Sequence, residues 1–241
     1  MISDLEKKKL IEQTDKMLDG VFVFDGIWDM EKCDIPVENK DIRFDITYNS
    51  DNEWAYMFTR MDYLYKFIYA TSFTNDDKYI KYGLKIIDSW YKVNKKYICG
   101  LIGKIFIKTI KINNLGFRSL DVSIMISNIT DYIIYSLNNN YIDNSQYEYY
   151  KNIVIKVINY LLPLTKREFK LLSNWGIIES SNILYCIYKF NLNNNKSLED
   201  LLLKQIDNQI LDDGYHIESS PMYLAEVLLS LTRLYSILVN H

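Results

Sequence analysis

The stretch EWAYMFTRMDYLYKFIYATS, residues 53–72, carries apolar side chains at steps of three and four residues. That spacing places them on one face of an α-helix. The same periodicity recurs along the 241 residues, and eight glycines and three prolines leave few positions for turns. Helices are predicted over 3–18, 53–72, 76–91, 118–137, 145–161, 175–190, 198–210 and 220–238. The sequence therefore predicts an all-α fold, with short asparagine-rich loops between some of the helices.

Two segments interrupt the helical periodicity. Residues 20–48 alternate over short distances and contain a proline, which predicts irregular chain with strand-like pieces. A similar irregular segment is expected at 97–116. Residues 92–117 also carry six lysines and no acidic residue. Such a segment either attracts a polyanion or is a solvated excursion between helices, and the sequence leaves both interpretations open.

Composition excludes several classes of protein. A hydrophobic content of 49% with mixed charge favours a globular protein over a disordered one. The net charge of −3 and the lack of a nucleic-acid-binding signature predict no nucleic-acid partner. No apolar run reaches the roughly 20 residues that cross a membrane, so no membrane partner is expected.

The N-terminus and the cysteines indicate a compartment. Residues 1–18 are charged throughout and lack the apolar region of a signal peptide. Cys33, Cys99 and Cys186 are widely spaced and are expected to be free thiols, with no disulfide and no metal site. We therefore expect a cytoplasmic protein without a cofactor, or a secreted or periplasmic one from which a leader has been removed.

One polar motif lies at the start of the last predicted helix. DDGYHIESSPMYLAEVL, residues 212–228, gathers His216, Glu218 and Tyr223 around a Ser-Pro pair. Helix capping explains the serine and the proline but not the other three residues. Tyr223 is either a rim tyrosine that packs its ring or a side chain directed into a cavity. An apolar stripe on the same helix is expected to face the core and consists of Leu224, Val227, Leu228, Leu231, Leu234 and Leu238.

A second motif, LLSNWGIIESSNIL at 171–184, also opens a helix. Asn174 stands at the helix start, where asparagine usually acts as a cap. Trp175 follows it in a position that looks exposed. Glu179 would either accept a hydrogen bond from a sugar hydroxyl or balance the helix dipole.

A third motif, GFRSLDVSIMISNITDY at 116–132, places Arg118 and Asp121 three residues apart on one helix face. Such a spacing usually gives a local ion pair worth a few tenths of a kcal/mol. The same pair would also hold the arginine towards an anionic ligand. The spacing alone does not decide between these roles.

Together these motifs resemble the N-terminal helical domain of the heparinase II/III-like polysaccharide lyases. The order is EW-x(5)-R-x(2)-YL at 53–64, RSLDVSI-x(3)-N at 118–128, SNWGIIES at 173–180 and DGYHIESSPMY at 213–223. The most specific parts are SNWG-x(2)-E and DG-x-H-x-E-x-SPMY. The resemblance covers about residues 40–239.

The resemblance implies a single domain over residues 1–241 that forms an incomplete (α/α) toroid of antiparallel helical hairpins. Its open side would be the sugar-binding cleft. A C-terminal β-sandwich domain normally follows and contributes a further catalytic histidine, and it is expected in the full-length protein but not within residues 1–241. Residues 1–241 alone are therefore expected to be a weak catalyst, with an exposed apolar patch where the second domain would dock.

The implied chemistry is β-elimination at a uronic acid of an anionic poly- or oligosaccharide, such as a glycosaminoglycan or alginate. In this chain the resemblance makes Tyr223 the proton-transfer residue and Asn174 the group that helps to neutralise the uronate carboxylate. A tyrosine has an ordinary pKa of about 10, so a nearby cation must favour its phenolate. Substrate contacts are implied for Trp54, Arg60, Arg118, Asp121, Trp175, Glu179, His216 and Glu218.

The sequence departs from the family at two positions. Trp175 stands where several relatives carry a histidine, and Met125 stands where many carry an arginine. Carboxylate binding would then rest on Asn174, His216 or Arg118. We expect Tyr223, Asn174 and His216 to line one concave surface.

Two other functions remain open. One is a glycoside hydrolase on the same toroid, with two carboxylates among Asp121, Glu179 and Glu218 as acid and base. The other is an inactive carbohydrate-binding or scaffold domain. Product chemistry separates the three, because only a lyase creates a C4–C5 double bond that absorbs ultraviolet light.

Overall fold

The structure, a computed structural model, describes residues 2–24, 35–48, 50–98, 115–193 and 195–239. The α-helices in these ranges are α1 (Asp4–Leu18), α2 (Glu53–Arg60), α3 (Leu64–Thr74), α4 (Lys78–Ile98), α5 (Ser119–Asn138), α6 (Asn144–Thr165), α7 (Asn174–Lys189), α8 (Lys196–Gln209) and α9 (Pro221–Leu238). Two short 3₁₀ helices are Leu115–Phe117 and Glu168–Leu171, and two antiparallel strands are β1 (Val21–Phe22) and β2 (Val37–Glu38). The all-α prediction is confirmed. Within these ranges no helix has the length and hydropathy needed to cross a membrane.

Local capping explains why most helices begin near their predicted starts. α1 and α6 begin with capping boxes, in which Ser3 pairs with Glu6 and Asp143 pairs with Gln146. Each box satisfies backbone N–H groups that have no partner inside the helix. α9 begins with the Ser220 hydroxyl as its cap, and its first residue is a proline.

The predicted single helix over 53–72 is wrong, because the structure divides it into α2 and α3. Met61 adopts a left-handed conformation with φ of 58° and ends α2. The Tyr63 hydroxyl donates to the carbonyl of Phe58 at 3.1 Å across the resulting turn. Met61 and Tyr63 are both buried, so the turn directs apolar side chains into the core without interrupting the three- and four-residue spacing.

The first strand pair and α2 share an aromatic cluster. The ring of Phe58 stacks on Trp54 at 5.3 Å and meets the edge of Phe22 at 5.0 Å. Phe22 lies on β1, which confirms that the irregular segment at 20–48 contains strand-like pieces. Trp54 is 2% exposed and belongs to this core.

α4 is longer than predicted and ends at Ile98, which adds Lys92, Lys95 and Lys96 to the helix. The expected irregular segment at 97–116 is helical at its two ends, and residues 99–114 lie outside the described residues. Cys33 and Cys99 also lie outside them. Cys186 is a buried free thiol, and burial raises its pKa to about 12.

The helices pack as two rows. In the inner row, α1 contacts α3, α3 contacts α5, α5 contacts α7 and α7 contacts α9. In the outer row, α4 packs on α3 and α6, α6 packs on α5, and α8 packs on α7. Successive helices therefore alternate between the rows from α3 onwards, which is the packing that helical hairpins give. Closure of the rows into a toroid remains a prediction.

α9 ends the inner row and, with α1 at the other end, is one of its two least enclosed helices. Val227, Leu234 and Ile237 are buried against the core. The predicted core stripe is wrong for Leu228 and Leu238, which are half exposed, because α9 has a row neighbour on one side only. The exposed surface of α9 is strongly apolar and also carries Leu229, Tyr235 and Val239.

α7 is enclosed on nearly all sides, and its first turn touches the 3₁₀ helix Glu168–Leu171. A Cβ atom at Gly176 would lie 1.9 Å from the carbonyl oxygen of Lys170 and 2.7 Å from Nε2 of Gln205. No side chain fits in that space, because real Cβ atoms do not approach backbone oxygen so closely. Glycine at this position allows the 3₁₀ helix and α8 to pack directly on the start of α7.

The replacement Gly176→Ala should destabilise the protein by roughly 2–3 kcal/mol, because backbone must move to accept the methyl group. Urea unfolding monitored by circular dichroism measures this change in the free energy of unfolding. Lys204→Ala, on the exposed surface of α8, is the control and should stay within about 0.5 kcal/mol of the parent. A Gly176→Ala protein as stable as that control would contradict the close packing described.

Candidate functional site

The two most specific motifs of the sequence meet in the structure. Oε1 of Glu218 accepts a hydrogen bond from the backbone N–H of Asn174 at 2.8 Å. Asn174 is the first residue of α7, so the carboxylate occupies the positive end of that helix and stabilises it. Residues 44 positions apart are thereby held in direct contact.

His216 makes a second connection between the motifs through Gln209. Nε2 of His216 lies 3.0 Å from Oε1 of Gln209, and Nε2 of Gln209 donates to the carbonyl oxygens of Lys170 and Leu171 at 3.2 and 3.1 Å. Nδ1 of His216 accepts the N–H of Glu218 at 3.2 Å. These partners require a neutral ring with its proton on Nε2. We call Gln209, His216 and Glu218 the clamp, because together they fix residues 170–174.

Arg118 lies at the start of α5 between two aromatic rings. Its guanidinium carbon is 3.5 Å from the ring centre of Tyr56 and 5.3 Å from that of Trp175. Nε and Nη2 of Arg118 both donate to Asp121, which is fully buried. The predicted Arg118–Asp121 ion pair is confirmed. Nη1 makes no hydrogen bond within the described part of the chain, and 24% of the Arg118 side chain is exposed.

Asp121 also binds the second arginine of the motifs. Nε of Arg60 donates to Oδ1 of Asp121 at 2.9 Å, and Nη2 of Arg60 lies 3.4 Å from Glu53. The two carboxylates hold the pKa of Arg60 above its ordinary value against the opposing effect of burial. Asp121 therefore fixes two cations, one from α2 and one from the start of α5.

A buried ion pair lies beneath the start of α7. Nζ of Lys170 contacts Oε2 of Glu179, and the Ser119 hydroxyl donates to Oε1 of Glu179 at 2.8 Å. Both charged side chains are almost fully enclosed. Burial lowers the pKa of Lys170, while the charge of Glu179 opposes that shift. The pair links the 3₁₀ helix, α5 and α7.

The structure divides the expected substrate contacts into two groups. Arg60, Arg118, Trp175, Glu218 and Tyr223 are partly exposed, and Asn174 is 7% exposed. The second group is buried and consists of Trp54, Asp121, Glu179 and His216. These side chains can affect a ligand only through the residues that they hold in place. The expectation that His216 lines a concave surface is corrected accordingly, because both its ring nitrogens are occupied within the chain.

Three contributors to this region are missing from the sequence-based interpretation. Tyr56 supports Arg118, Gln209 connects His216 to the backbone, and Lys170 neutralises Glu179. Tyr56 lies two residues after Trp54, inside the first motif, so it is the one contributor that a sequence signal could have indicated. Gln209 and Lys170 belong to no motif, and only the fold brings them to the site.

A polar network centred on Arg233 lies farther along α9 and was not anticipated either. Arg233 donates to Ser127, Asn128, Tyr65 and Asp131 at 2.6–2.8 Å. The Tyr65 hydroxyl also donates to Asp131, and so does the hydroxyl of a tyrosine on α7. The network ties α9 to α3, α5 and α7 around the ion pair of Arg233 and Asp131.

The clamp makes the stability of the protein depend on pH. Burial lowers the pKa of His216 below its ordinary value of 6.5. The unfolded chain therefore binds a proton that the folded ring resists, and the stabilisation from His216 is complete above about pH 6.5 and is lost as the pH falls below it. The parent should have a higher melting temperature than His216→Gln, and this advantage should shrink as the pH is lowered from 7.5 to 5.5. An advantage of the same size at both values would contradict the neutral, doubly bonded ring.

Comparison with known proteins gives one match. The family model described as heparinase II/III N-terminus matches residues 3–239. No curated protein and no solved structure matches the chain. The matched range contains the clamp, Arg118, Asn174 and Tyr223, together with every helix described above. The chain therefore belongs to the heparinase II/III N-terminus family.

Proposed function

We propose that this chain provides the substrate cleft of a polysaccharide lyase that acts by β-elimination at a uronic acid of an anionic polysaccharide. Tyr223 is the proton-transfer residue, and Asn174 and Arg118 bind the uronate carboxylate. No cofactor takes part in this scheme. Family membership supports the general class, and the arrangement of the side chains supports the assignment of roles.

The observation that carries the proposal is the hydrogen bond between Glu218 and the N–H of Asn174. It joins the segment that contains the proposed carboxylate ligand to the segment that leads into α9. Tyr223 follows Glu218 by five residues, so at most about 18 Å of chain separates their Cα atoms. The Ser220 hydroxyl then accepts the N–H of Tyr223 and fixes the backbone from which the phenol projects. A lyase requires such coupling, because its carboxylate ligand and its base act on adjacent atoms of one sugar ring.

Arg118 is the best-placed cation for the substrate carboxylate. Asp121 fixes its Nε and Nη2, and Tyr56 supports the plane of the guanidinium. Nη1 retains two N–H groups for a carboxylate oxygen. Since His216 is enclosed, the binding expected of Asn174, His216 or Arg118 falls to Asn174 and Arg118 in this proposal.

The reaction needs one proton abstraction and one proton donation. Hydrogen bonds from Asn174 and Arg118 reduce the negative charge of the carboxylate and make the neighbouring C5–H more acidic. Tyr223 as phenolate removes that proton, the C5–H electron pair forms the C4–C5 double bond, and the C4–O bond breaks. The proton then passes from the Tyr223 phenol to the leaving oxygen, which regenerates the phenolate.

The geometry argues against the hydrolase alternative. An acid and a base must reach the glycosidic oxygen and a water molecule. Asp121 is enclosed between two arginines, and Glu179 is enclosed with Lys170 and Ser119. Glu218, the third candidate, is bound to the start of α7. No pair among them is available for proton exchange with a substrate.

The test of the proposed function is turnover of heparan sulfate, hyaluronan, chondroitin and alginate, measured by ultraviolet absorbance of the unsaturated product. Tyr223→Phe should abolish turnover of the cleaved substrate, and Asn174→Ala should lower it at least about a hundredfold, as loss of an oxyanion-type donor does. Tyr215→Phe, on the exposed turn between Gln209 and His216, is the matched control and should retain full activity. Equal and measurable turnover by the parent and Tyr223→Phe, in the complete protein, would refute the role of Tyr223. A new reducing end without ultraviolet absorbance would instead indicate a hydrolase.

The role of Glu218 as a positioning residue has a separate test. Glu218→Ala removes the acceptor of the Asn174 N–H and should reduce kcat. Any loss of thermal stability should be confined to α7. Glu218→Gln restores a neutral acceptor and should recover much of that kcat. If the two variants have the same kcat, the hydrogen bond does not position Asn174.

A further inference from the structure

The lysines of α4 form a positively charged stripe. At about 100° per residue, they fall within an arc of roughly 100° on one side of the helix. These lysines are Lys78, Lys81, Lys85, Lys92, Lys95 and Lys96. Asp88 is the single acidic residue of α4. Because the whole chain has a net charge of −3, this concentration of positive charge is a local feature.

The two ends of the stripe differ in charge balance. Nζ of Lys78 lies 3.3 Å from Asp15 and 3.5 Å from Asp76, and Nζ of Lys81 lies 2.7 Å from Asp77. The lysines without an ion-pair partner in the described ranges are Lys85, Lys92, Lys95 and Lys96. They extend over about 17 Å of helix. The second half of α4 therefore presents uncompensated positive charge to solvent.

A groove of about 380 Å³ lies beside this stripe, between α4 and α6. Its polar lining includes Lys85, Ser89 and Lys92 from α4 and Gln146 from α6. Oε1 of Gln146 accepts the N–H of Asp143, so the NH₂ group of Gln146 is the part of this side chain that can donate to an anion. The groove therefore combines point charges with a neutral hydrogen-bond donor, which suits a ligand bearing several carboxylate or sulfate groups.

Asp88 also lines the groove and opposes anion binding there. The Tyr150 hydroxyl donates to Oδ2 of Asp88 at 3.2 Å, and burial raises the pKa of this carboxyl above its ordinary value. Its charge is thus partly satisfied within the protein. Replacing Asp88 with a neutral residue removes the opposing charge and leaves the lysines in place.

We infer that this groove is a second binding site for an acidic oligosaccharide, separate from the region of Asn174 and Tyr223. Those residues lie on α7 and α9, whereas the groove is formed by α4 and α6. The choice of an acidic saccharide as the ligand rests on the proposed function. The positive charge of the groove is observed independently of that proposal. A second site would hold a long polymer while a distant part of the same chain occupies the cleft.

A nucleic acid fits the groove less well. Single-stranded nucleic acids bind through aromatic faces on which bases stack. Among the lining residues that the structure describes, Tyr150 alone is aromatic, and it is 5% exposed. An acidic saccharide needs no stacking surface, so charge and hydrogen bonds suffice.

The test measures the affinity of the full chain for a fluorescent heparin octasaccharide by anisotropy at 50 and 300 mM NaCl. Lys85→Gln/Lys92→Gln should weaken binding about tenfold at low salt, and Asp88→Asn should strengthen it about threefold, because charge contacts in water are each worth a fewfold in affinity. Lys9→Gln/Lys16→Gln is the matched control. Both of its lysines are exposed and seven residues apart on α1, and this variant should bind like the parent. The higher salt concentration should reduce all affinities, because exposed charges are screened.

Several outcomes would overturn the inference. Equal loss in the groove and control variants would mean non-specific charge, and no loss in either would leave the groove without a role. Tighter binding of single-stranded RNA through the same lysines would replace the saccharide as the ligand. Arg118→Gln separates the two sites: if it changes neither binding nor ultraviolet product while the groove variant still loses affinity, the proposed function fails and the groove remains.

Discussion

The contact between the start of α7 and the backbone of Lys170 is the constraint on which the rest of the structure depends. Thirteen of the sixteen residues of α7 are buried, so this helix has neighbours on almost every side. Only glycine at 176 permits the 3₁₀ helix to lie against it. The same contact brings the Lys170 side chain to Glu179 in the protein interior, where both side chains are almost fully enclosed. Each charge requires the other there, since a buried ion that loses its partner is strongly destabilising.

The candidate site follows from this packing. Ser119 opens α5 and bonds Glu179, so the buried pair also sets the position of Arg118 one residue earlier. Glu218 accepts from the first N–H of α7, and Gln209 binds the carbonyls just before it. The starts of α5 and α7 and the segment that leads into α9 are thus joined by direct hydrogen bonds. Motifs that are scattered over a hundred residues of sequence belong to one connected assembly.

Sequence periodicity predicted the helices well because apolar spacing is a local property, and caps such as Ser3 and Asp143 marked their starts. It could not reveal the break at Met61, because a left-handed methionine leaves the spacing of its neighbours unchanged. The sequence motifs also indicated the residues of the candidate site, but not which of them are buried. His216 looks like a ligand contact until Gln209, the last residue of α8, is placed against its ring. Arg233 shows the same limit, because its hydrogen-bond partners lie on two other helices, α3 and α5, and share no pattern with it.

The Arg233 network has a consequence for the order in which the chain folds. Its bond to Tyr65 joins residues 168 positions apart, and its bond to Ser127 joins residues 106 apart. Closing a loop of the longer size costs about 4.5 kcal/mol of chain entropy by the logarithmic loop-length relation, against about 2 kcal/mol for a hairpin loop of ten residues. Helical hairpins such as α5–α6 can form early from local contacts, and α9 can likewise pack on nearby α7. The Arg233 bonds to α3 and α5 instead require those distant helices to be in place. Formation of the Arg233 network therefore reports that the inner row is complete from α3 to α9.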